Sequence, residues 1–415
     1  MRLAPGTPLA VAFAFDASRA RLPVARVAFF ERKAQLEWEP EVIAPGLQVS
    51  PILYPPERGL QAARSQAFDG LHGFLADSLP EGWGRLLVRR KLSKLGVDLD
   101  ALTPLDRLAL VGDQGRGALT FEPATAPADD VQTLDLDELA AASAEILKGQ
   151  DDALAGTLTE LANASGGARP KIQVGFDANG AISVSDGEVA PGHEAWIVKF
   201  RANEDPLDIG PIEAAYAAMA QAAGLDLSAF RLLDAKSGPG YFATRRFDRP
   251  APGLRLHMIS LAGAIEAHPS LPSSYDVFLR ATQAITRHSG DVQSAFRRMV
   301  FNVLACNRDD HTRQHSFLMS PAGNWRLAPA YDLTFSPGPG GEHYLDISGE
   351  GRRPTRDHAR ALGRRHGLSE RSMAEIIESV RAAVADWSEF AEAAGVMAAS
   401  RQMIAAAHET VRSYF

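Results

Sequence analysis

Short apolar runs broken by Pro and Gly fill residues 1 to about 60. Leu9–Phe15, Val24–Glu31 and Gln35–Trp38 read as strands of a small sheet. The spacing then turns helical. Ser78, Pro80 and Glu81 make a start signal, and Leu86, Leu87, Leu92 and Leu95 follow at helical intervals. Asp106–Leu110 continues as helix, Gly112–Gly117 breaks it, and Gly117–Phe121 closes the unit as a strand. Glu122–Asp130, rich in Pro, Ala and Asp, reads as a linker. Leu134–Lys148 is an amphipathic helix with Leu136, Leu139, Ala140 and Ile146 on one side.

A second β-rich stretch opens at Ala164–Phe176, a Gly-rich turn running into a strand. The turn Asp177–Gly180 and the strands Ala181–Val184 and Trp196–Phe200 follow. The helix Ile212–Gly224 and the strand Tyr241–Arg245 come next. From Leu271 the pattern is mainly helical: Tyr275–Arg287, Val292–Cys306, Ser369–Ala385 and Val396–Tyr414. The expected class is α+β and two-lobed. It divides into an N-terminal β-rich subdomain (1–124), a β-rich lobe (125–254) and an all-α lobe (255–415).

Composition changes this picture little. A chain of 415 residues has room for two or three domains. A hydrophobic content of 46% and a charged content of 23% are ordinary for a globular protein. The net charge of −8 gives no global field favouring nucleic acid. The single cysteine, Cys306, excludes an intramolecular disulfide and a multi-Cys metal site. The run Leu9–Phe15 is the nearest thing to a signal core, but it ends at Asp16 with basic residues just beyond, so a first strand is expected. No segment reaches the roughly 18 apolar residues that cross a bilayer. A cytoplasmic protein with no membrane partner is expected.

Chemistry concentrates where the helical pattern Phe296, Met299, Val300, Val303, Leu304 runs into Asn307, Asp309, Asp310, His311 and His315. An unpaired carboxylate is too costly to bury, so such a cluster belongs at a cleft. Asp332, in Leu327–Leu333, adds a further acid. Two acids on consecutive elements suit one base and one metal ligand. Asp309 with Gln314 five positions on has the spacing of a kinase catalytic loop, in which the Asp takes a hydroxyl proton and an amide holds a metal. A hydrolase metal site built from Asp309, Asp310, His311, His315 and Asp332 is the rival reading. A salt-bridged capping loop is the bland one.

Elsewhere, Ser165, Gly166, Gly167 and Ala168 form a turn whose N–H groups can approach an anion, with Arg169 and Lys171 adding charge. No Walker sequence is present, and a strand follows instead of a helix. Lys199 lies inside an apolar strand, on the face opposite Val198 and Phe200, with Glu213 as a candidate partner. Arg352, Arg353, Arg356, Arg360, Arg364 and Arg365 make a local basic stretch, by default a solvated helix face and otherwise a nucleic-acid contact.

In this order the pieces resemble the HipA family, the serine/threonine kinases of type II toxin–antitoxin modules. The carriers are Leu79–Arg85, Gly112–Phe121, Gly166–Lys171, Trp196–Phe200, Arg245–Arg249, Arg255–Leu261, Asn307–His311 and Ala330–Leu333. The resemblance implies a two-lobed, PI-kinase-like fold and an ATP- and Mg²⁺-dependent protein kinase. It implies Asp309 as base, Asp332 and Gln314 as Mg²⁺ ligands, and His311 close to the nucleotide. Lys199, with Glu213, would hold the α- and β-phosphates. Ser165, Gly166, Gly167, Ala168 and Lys171 would cradle the phosphate tail, and Arg246, Phe247 and Tyr331 would complete the nucleotide site. It also implies a helix-turn-helix antitoxin, DNA contact only through that complex, and a protein substrate such as an aminoacyl-tRNA synthetase. Two departures stand out. Ala164 occupies the family's autophosphorylated position, so Ser165 replaces that serine or the off-switch is missing. Gln314 is one methylene longer than the usual Asn, which leaves open a weak or inactive kinase serving as co-repressor.

Overall fold

The computed structural model describes residues 2–4, 6–125, 135–149, 158, 167, 169–183, 189–190, 192–236 and 238–415. The chain divides into two compact units. The first comprises Met1–Asp205, Ala243–Ile259 and Leu318–Asn324, and the second comprises Pro206–Phe242, Ser260–Phe317 and Trp325–Phe415.

The first unit opens with an antiparallel sheet of β1 (Leu9–Phe13), β2 (Leu22–Phe30), β3 (Lys33–Trp38), β4 (Leu60–Ala62) and β5 (Leu119–Glu122), in the order β4-β3-β2-β1-β5. Alternation explains it: Leu9, Val11 and Phe13 are buried while Ala10 is exposed. The helix Pro104–Val111 is set by a capping box in which Thr103 and Asp106 satisfy each other's backbone N–H groups. The expected linker starts late, because Glu122 ends β5, and its residues 126–130 lie outside the described ones. The helix expected over Leu134–Lys148 spans Leu136–Leu147, capped by the Asp135 carboxylate. A second sheet places β6 (Lys171–Phe176) between β7 (Ile182–Ser183) and β8 (Glu194–Lys199). Ile172, Val174 and Phe176 pack on the face shared with Trp196 and Val198, and the Phe176 and Trp196 rings meet edge to face at 5.3 Å.

The second unit is mainly helical. The helix Ile209–Ala222 begins earlier than the sequence pattern suggested. Pro211 sits in its first turn, where a missing N–H does no harm. Gly210 is required there, since a Cβ would collide with the Gly240 carbonyl. Three short strands follow: β9 (Phe230–Leu233), β10 (Tyr241–Arg245), across which the unit boundary falls, and β11 (His257–Ser260). The helices Tyr275–Thr286 and Ser289–Leu304 come next, and Arg356–Arg365, Glu370–Ala385, Trp387–Ala393 and Ala398–Arg412 end the chain. The lobe expected to be all-α also carries β12 (Ser273–Ser274), β13 (Ser316–Met319), β14 (Trp325–Leu327) and β15 (Leu345–Asp346). These extended pieces carry polar loops in and out of the core: β13 leaves the Asp309 loop and β14 enters the Asp332 segment. The Asp208 carboxylate accepts from the Met397 N–H (2.7 Å) and the Ser400 hydroxyl (2.9 Å), which fixes the start of the last helix.

Candidate active site

The helix Ser289–Leu304 ends in a Schellman arrangement. Cys306 N–H donates to Val303 C=O, and Asn307 N–H donates to Asn302 C=O at 2.9 Å. Cys306 takes the left-handed position (φ 52°) that glycine usually fills. That turn throws Asn307–His311 out of the helix axis.

The two adjacent acids then part. Asp309 is half exposed, with its Oδ1 3.8 Å from His311 Nε2. Asp310 is fully buried. Its Oδ2 accepts from the Tyr275 hydroxyl (2.7 Å) and His343 Nδ1 (2.8 Å), and its Oδ1 accepts from Tyr344 N–H (2.9 Å). Burial opposes its charge, but His343 and the Tyr275 hydroxyl outweigh that and hold the carboxyl below its ordinary range. The donors are themselves ordered. Asn307 Nδ2 donates to Asn302 Oδ1 (3.0 Å), and Asn302 Nδ2 donates to Tyr275 (2.9 Å). Every arrow points towards Asp310, so the chain is polarised one way. Pattern reading missed Tyr275, His343 and Tyr344. Tyr275 sits at a helix start that looked apolar, and the other two lie in a Gly-rich stretch without periodicity.

His311 caps the following turn, its Nδ1 accepting from Arg313 N–H at 3.2 Å, and its ring meets Tyr344 edge to face at 5.6 Å. Gln314 ends that turn. His315 is buried, its ring stacked on Phe278 at 4.0 Å, and burial with the Arg298 charge pushes its pKa down to about 3. The five-residue hydrolase site is therefore not assembled: Asp310 is used up by its donors, and His315 is packed against an aromatic ring. Among the described residues no three His, Cys, Asp or Glu side chains are grouped to hold a metal ion.

The chain a few residues beyond Asp332 is tied to the Asp309 loop. Asn307 and Ser336 form a parallel bridge, Ser336 N–H donates to Cys306 C=O (3.0 Å), and Arg308 N–H donates to Ser336 C=O (3.3 Å). Asp332 itself has φ 53°, a left-handed conformation uncommon for non-glycine residues, though aspartate takes it more readily than most. Tyr331 precedes it, donating to Arg313 C=O (2.5 Å) and bonded to the Ser316 hydroxyl (2.6 Å).

In the first unit, β6 and β8 pair so that Lys171 lies directly opposite Lys199. Both are buried. Two like charges across one pair are unfavourable by themselves, and each lysine has other partners as well. Gly167 (φ 85°) lies against the same place, since a Cβ there would sit 2.8 Å from Lys171 Nζ. Its carbonyl accepts from Trp83 N–H at 3.0 Å, which ties the Gly loop to the helix Gly82–Lys94. Ser165, Gly166 and Ala168 lie outside the described residues. Arg169, expected to add charge, is paired with Asp205 at 3.0 Å. Glu213 is buried in the second unit's helix Ile209–Ala222.

Arg246 and Phe247 follow β10. The Arg246 N–H donates to Ala195 C=O (2.8 Å), and its carbonyl accepts from Arg249 N–H (3.3 Å). Its guanidinium grips Asp248 at both oxygens (3.0 and 2.7 Å) and bonds Gln173 Oε1. Asp248 also accepts from Gly117 N–H (2.8 Å) and Arg249 (2.9 Å). Its pKa falls well below the carboxylate range because these arginines outweigh its burial. Four of the six arginines in the basic stretch of the second unit meet an acid: Arg352 pairs with Glu342, Arg356 with Glu378, Arg364 with Glu370 and Arg365 with Asp276.

Residues 163–387 match the HipA-like C-terminal domain, and residues 16–122 match the HipA N-terminal domain. This chain belongs to the HipA family. HipA of Shewanella oneidensis MR-1, solved with HipB and operator DNA as a toxin–antitoxin complex, aligns with a TM-score of 0.69 and 17% identity, over 97% of this chain and 95% of that one. At that identity the likeness establishes the HipA fold. The Helicobacter pylori proinflammatory kinase CtkA aligns with a TM-score of 0.41 and 12% identity, over 60% of this chain and 90% of its own, too low a likeness to bear on this one. No curated protein matches the sequence. Among the described residues no helix of this HipA chain is long and apolar enough to cross a membrane.

Proposed function

We propose that this HipA-family chain is an ATP- and Mg²⁺-dependent protein serine/threonine kinase, the toxin partner of a helix-turn-helix antitoxin. The observation that carries the reading is the division of labour in the acid loop. Asp310 is a fixed anchor, while its neighbour Asp309 is left half exposed on a loop bridged to the Asp332 segment. A general base needs access to its substrate, and Asp309 has it.

The residues fit a nucleotide and its metal ion. Asp332 and Gln314 offer the hard oxygen atoms that Mg²⁺ takes, and the ion supplies charge neutralisation for the phosphates. Lys171 and Lys199 offset phosphate charge from one sheet face. The absent Cβ of Gly167 leaves room beside Lys171. Asp309 accepts the proton of the substrate hydroxyl and orients its oxygen. His311 Nε2 lies 3.8 Å from that carboxylate. Arg246, Phe247 and Tyr331 are proposed for the nucleotide's remaining contacts. The antitoxin would carry the complex to DNA, in the manner of the Shewanella HipA–HipB complex.

The test is transfer from γ-labelled ATP to proteins of a cell lysate. The wild-type chain should label a band that both Asp309→Asn and Asp332→Ala abolish. Gln314→Asn should raise the rate if the longer amide arm slows transfer. Nucleotide binding without transfer to any protein, together with no growth arrest on expression, would end the kinase reading and support the co-repressor one.

A further inference from the structure

The helix Ser289–Leu304 carries a polar stripe on its buried side: Asp291, Arg298 and Asn302, seven and four positions apart, on one face. Asn302 belongs to the chain of donors behind the Asp309 loop. The other two reach the segment that delivers Asp332. Asp291 Oδ2 accepts from Leu327 N–H at 3.0 Å, and Arg298 Nη2 donates to Ala328 C=O at 2.6 Å. Two further bonds of the segment run to backbone: Ala328 N–H to Ser316 C=O (2.9 Å) and Ala330 N–H to Asp226 C=O (2.7 Å). After these anchors the chain enters the left-handed turn at Asp332.

Arg298 is the unusual member. It is 4% exposed, and its Nε and Nη1 have no hydrogen-bond partner among the described residues. Burying a guanidinium for one carbonyl bond is unfavourable for packing alone. Burial pushes its pKa down to about 10, and Tyr331, Tyr275, Asp226 and Asp291 resist that fall. It stays charged at neutral pH. Those four residues include the neighbour of Asp332 and the donor to Asp310.

We infer that Arg298 is a positioning residue: through the Ala328 carbonyl, one helix sets the place of Asp332 while its Asn302 sets that of Asp309. The role of Asp332 as a metal ligand rests on the kinase reading, whereas the hold on residues 327–330 does not. A displacement of about 1 Å at a reacting group lowers rates roughly 10²-fold, so a single helix serving both acids keeps their separation constant.

The test uses the full chain and two readouts. Amide hydrogen exchange of a peptide covering residues 325–333 should speed up about tenfold in Arg298→Met, with β1 amides unchanged. Arg298→Lys, which can still donate to Ala328, should recover part of the protection, and Asp291→Asn should loosen Leu327 alone. The second readout is calorimetric binding of a non-hydrolysable ATP analogue against Mg²⁺ concentration. Arg298→Met should need about tenfold more Mg²⁺ for half-maximal effect, with metal-free nucleotide affinity unchanged. Unaltered exchange in Arg298→Met overturns the proposal. So does loosened exchange with unaltered Mg²⁺ dependence, which would leave Arg298 a structural residue. Absence of any Mg²⁺-dependent nucleotide binding in the wild type would overturn the kinase reading and leave the exchange result to decide whether Arg298 holds the segment.

Discussion

Replacing Asp310 by Asn tests the anchor beneath the acid loop. The carboxylate serves three donors: Tyr275, His343 and Tyr344 N–H. An amide can offer one oxygen, either to the Tyr275 and His343 side or to Tyr344 N–H. Its NH₂ then faces a donor on the other side, and the negative charge is gone. A hydrogen bond to a charged group is worth about 1.5–3 kcal/mol, and an orphaned buried donor costs about 1–3 kcal/mol. Asp310→Asn should therefore destabilise by about 3 kcal/mol, and Asp310→Ala, which orphans all three, by about 5 kcal/mol. Burial holds Tyr275 as an undissociated donor, its pKa far above 10, so it cannot adapt by ionising. The measurement is urea unfolding followed by tryptophan fluorescence, with labelled-phosphate transfer on the still-folded variants. Transfer should fall about 10²-fold in Asp310→Asn, because the loop carrying Asp309 loses its tether. Unchanged unfolding midpoints in both variants would refute the account of Asp310 as a buried, triply held anion.

Two further outcomes are expected. His257 and His408 are buried and held neutral, with pKa values of about 4 against 6.5 for free imidazole, chiefly by desolvation. Each takes up a proton on unfolding, so stability that is complete above pH 6.5 falls as the pH drops towards 4, by up to about 3 kcal/mol per pH unit for the pair; a thermal midpoint that does not move between pH 7 and pH 5 would contradict this. Asp248→Asn should cost about 3–5 kcal/mol by leaving Arg246 and Arg249 uncompensated in a buried site, visible as a lower denaturation midpoint and faster exchange at Gly117, whose N–H that carboxylate accepts.

The local elements were legible in the chain wherever one face of a helix or strand meets the core. β1, the helix ahead of Asn307 and the strand carrying Lys199 show their periodicity directly, because burial acts on each residue according to its own position. The residue types of the acid loop and of the Asp332 segment were legible for the same reason: carboxylates at the end of an apolar helix are conspicuous. Loop spacing had singled out Asp309, but the physical reason that Asp310 is an anchor and Asp309 is open lies in the tertiary structure. Asp309 and Asp310 are chemically identical, and the choice lies with Tyr275 and His343, which are distant in sequence. Tertiary structure alone set Lys171 opposite Lys199, since register depends on a partner strand, and it alone gave Asp332 its left-handed backbone. The arginines from 352 to 365 make the converse case: a basic run by sequence, but in the fold four of the six meet an acid, Glu342, Glu378, Glu370 or Asp276. Periodicity is a local consequence of burial, whereas charge pairing and hydrogen-bond direction depend on neighbours that only chain folding brings near.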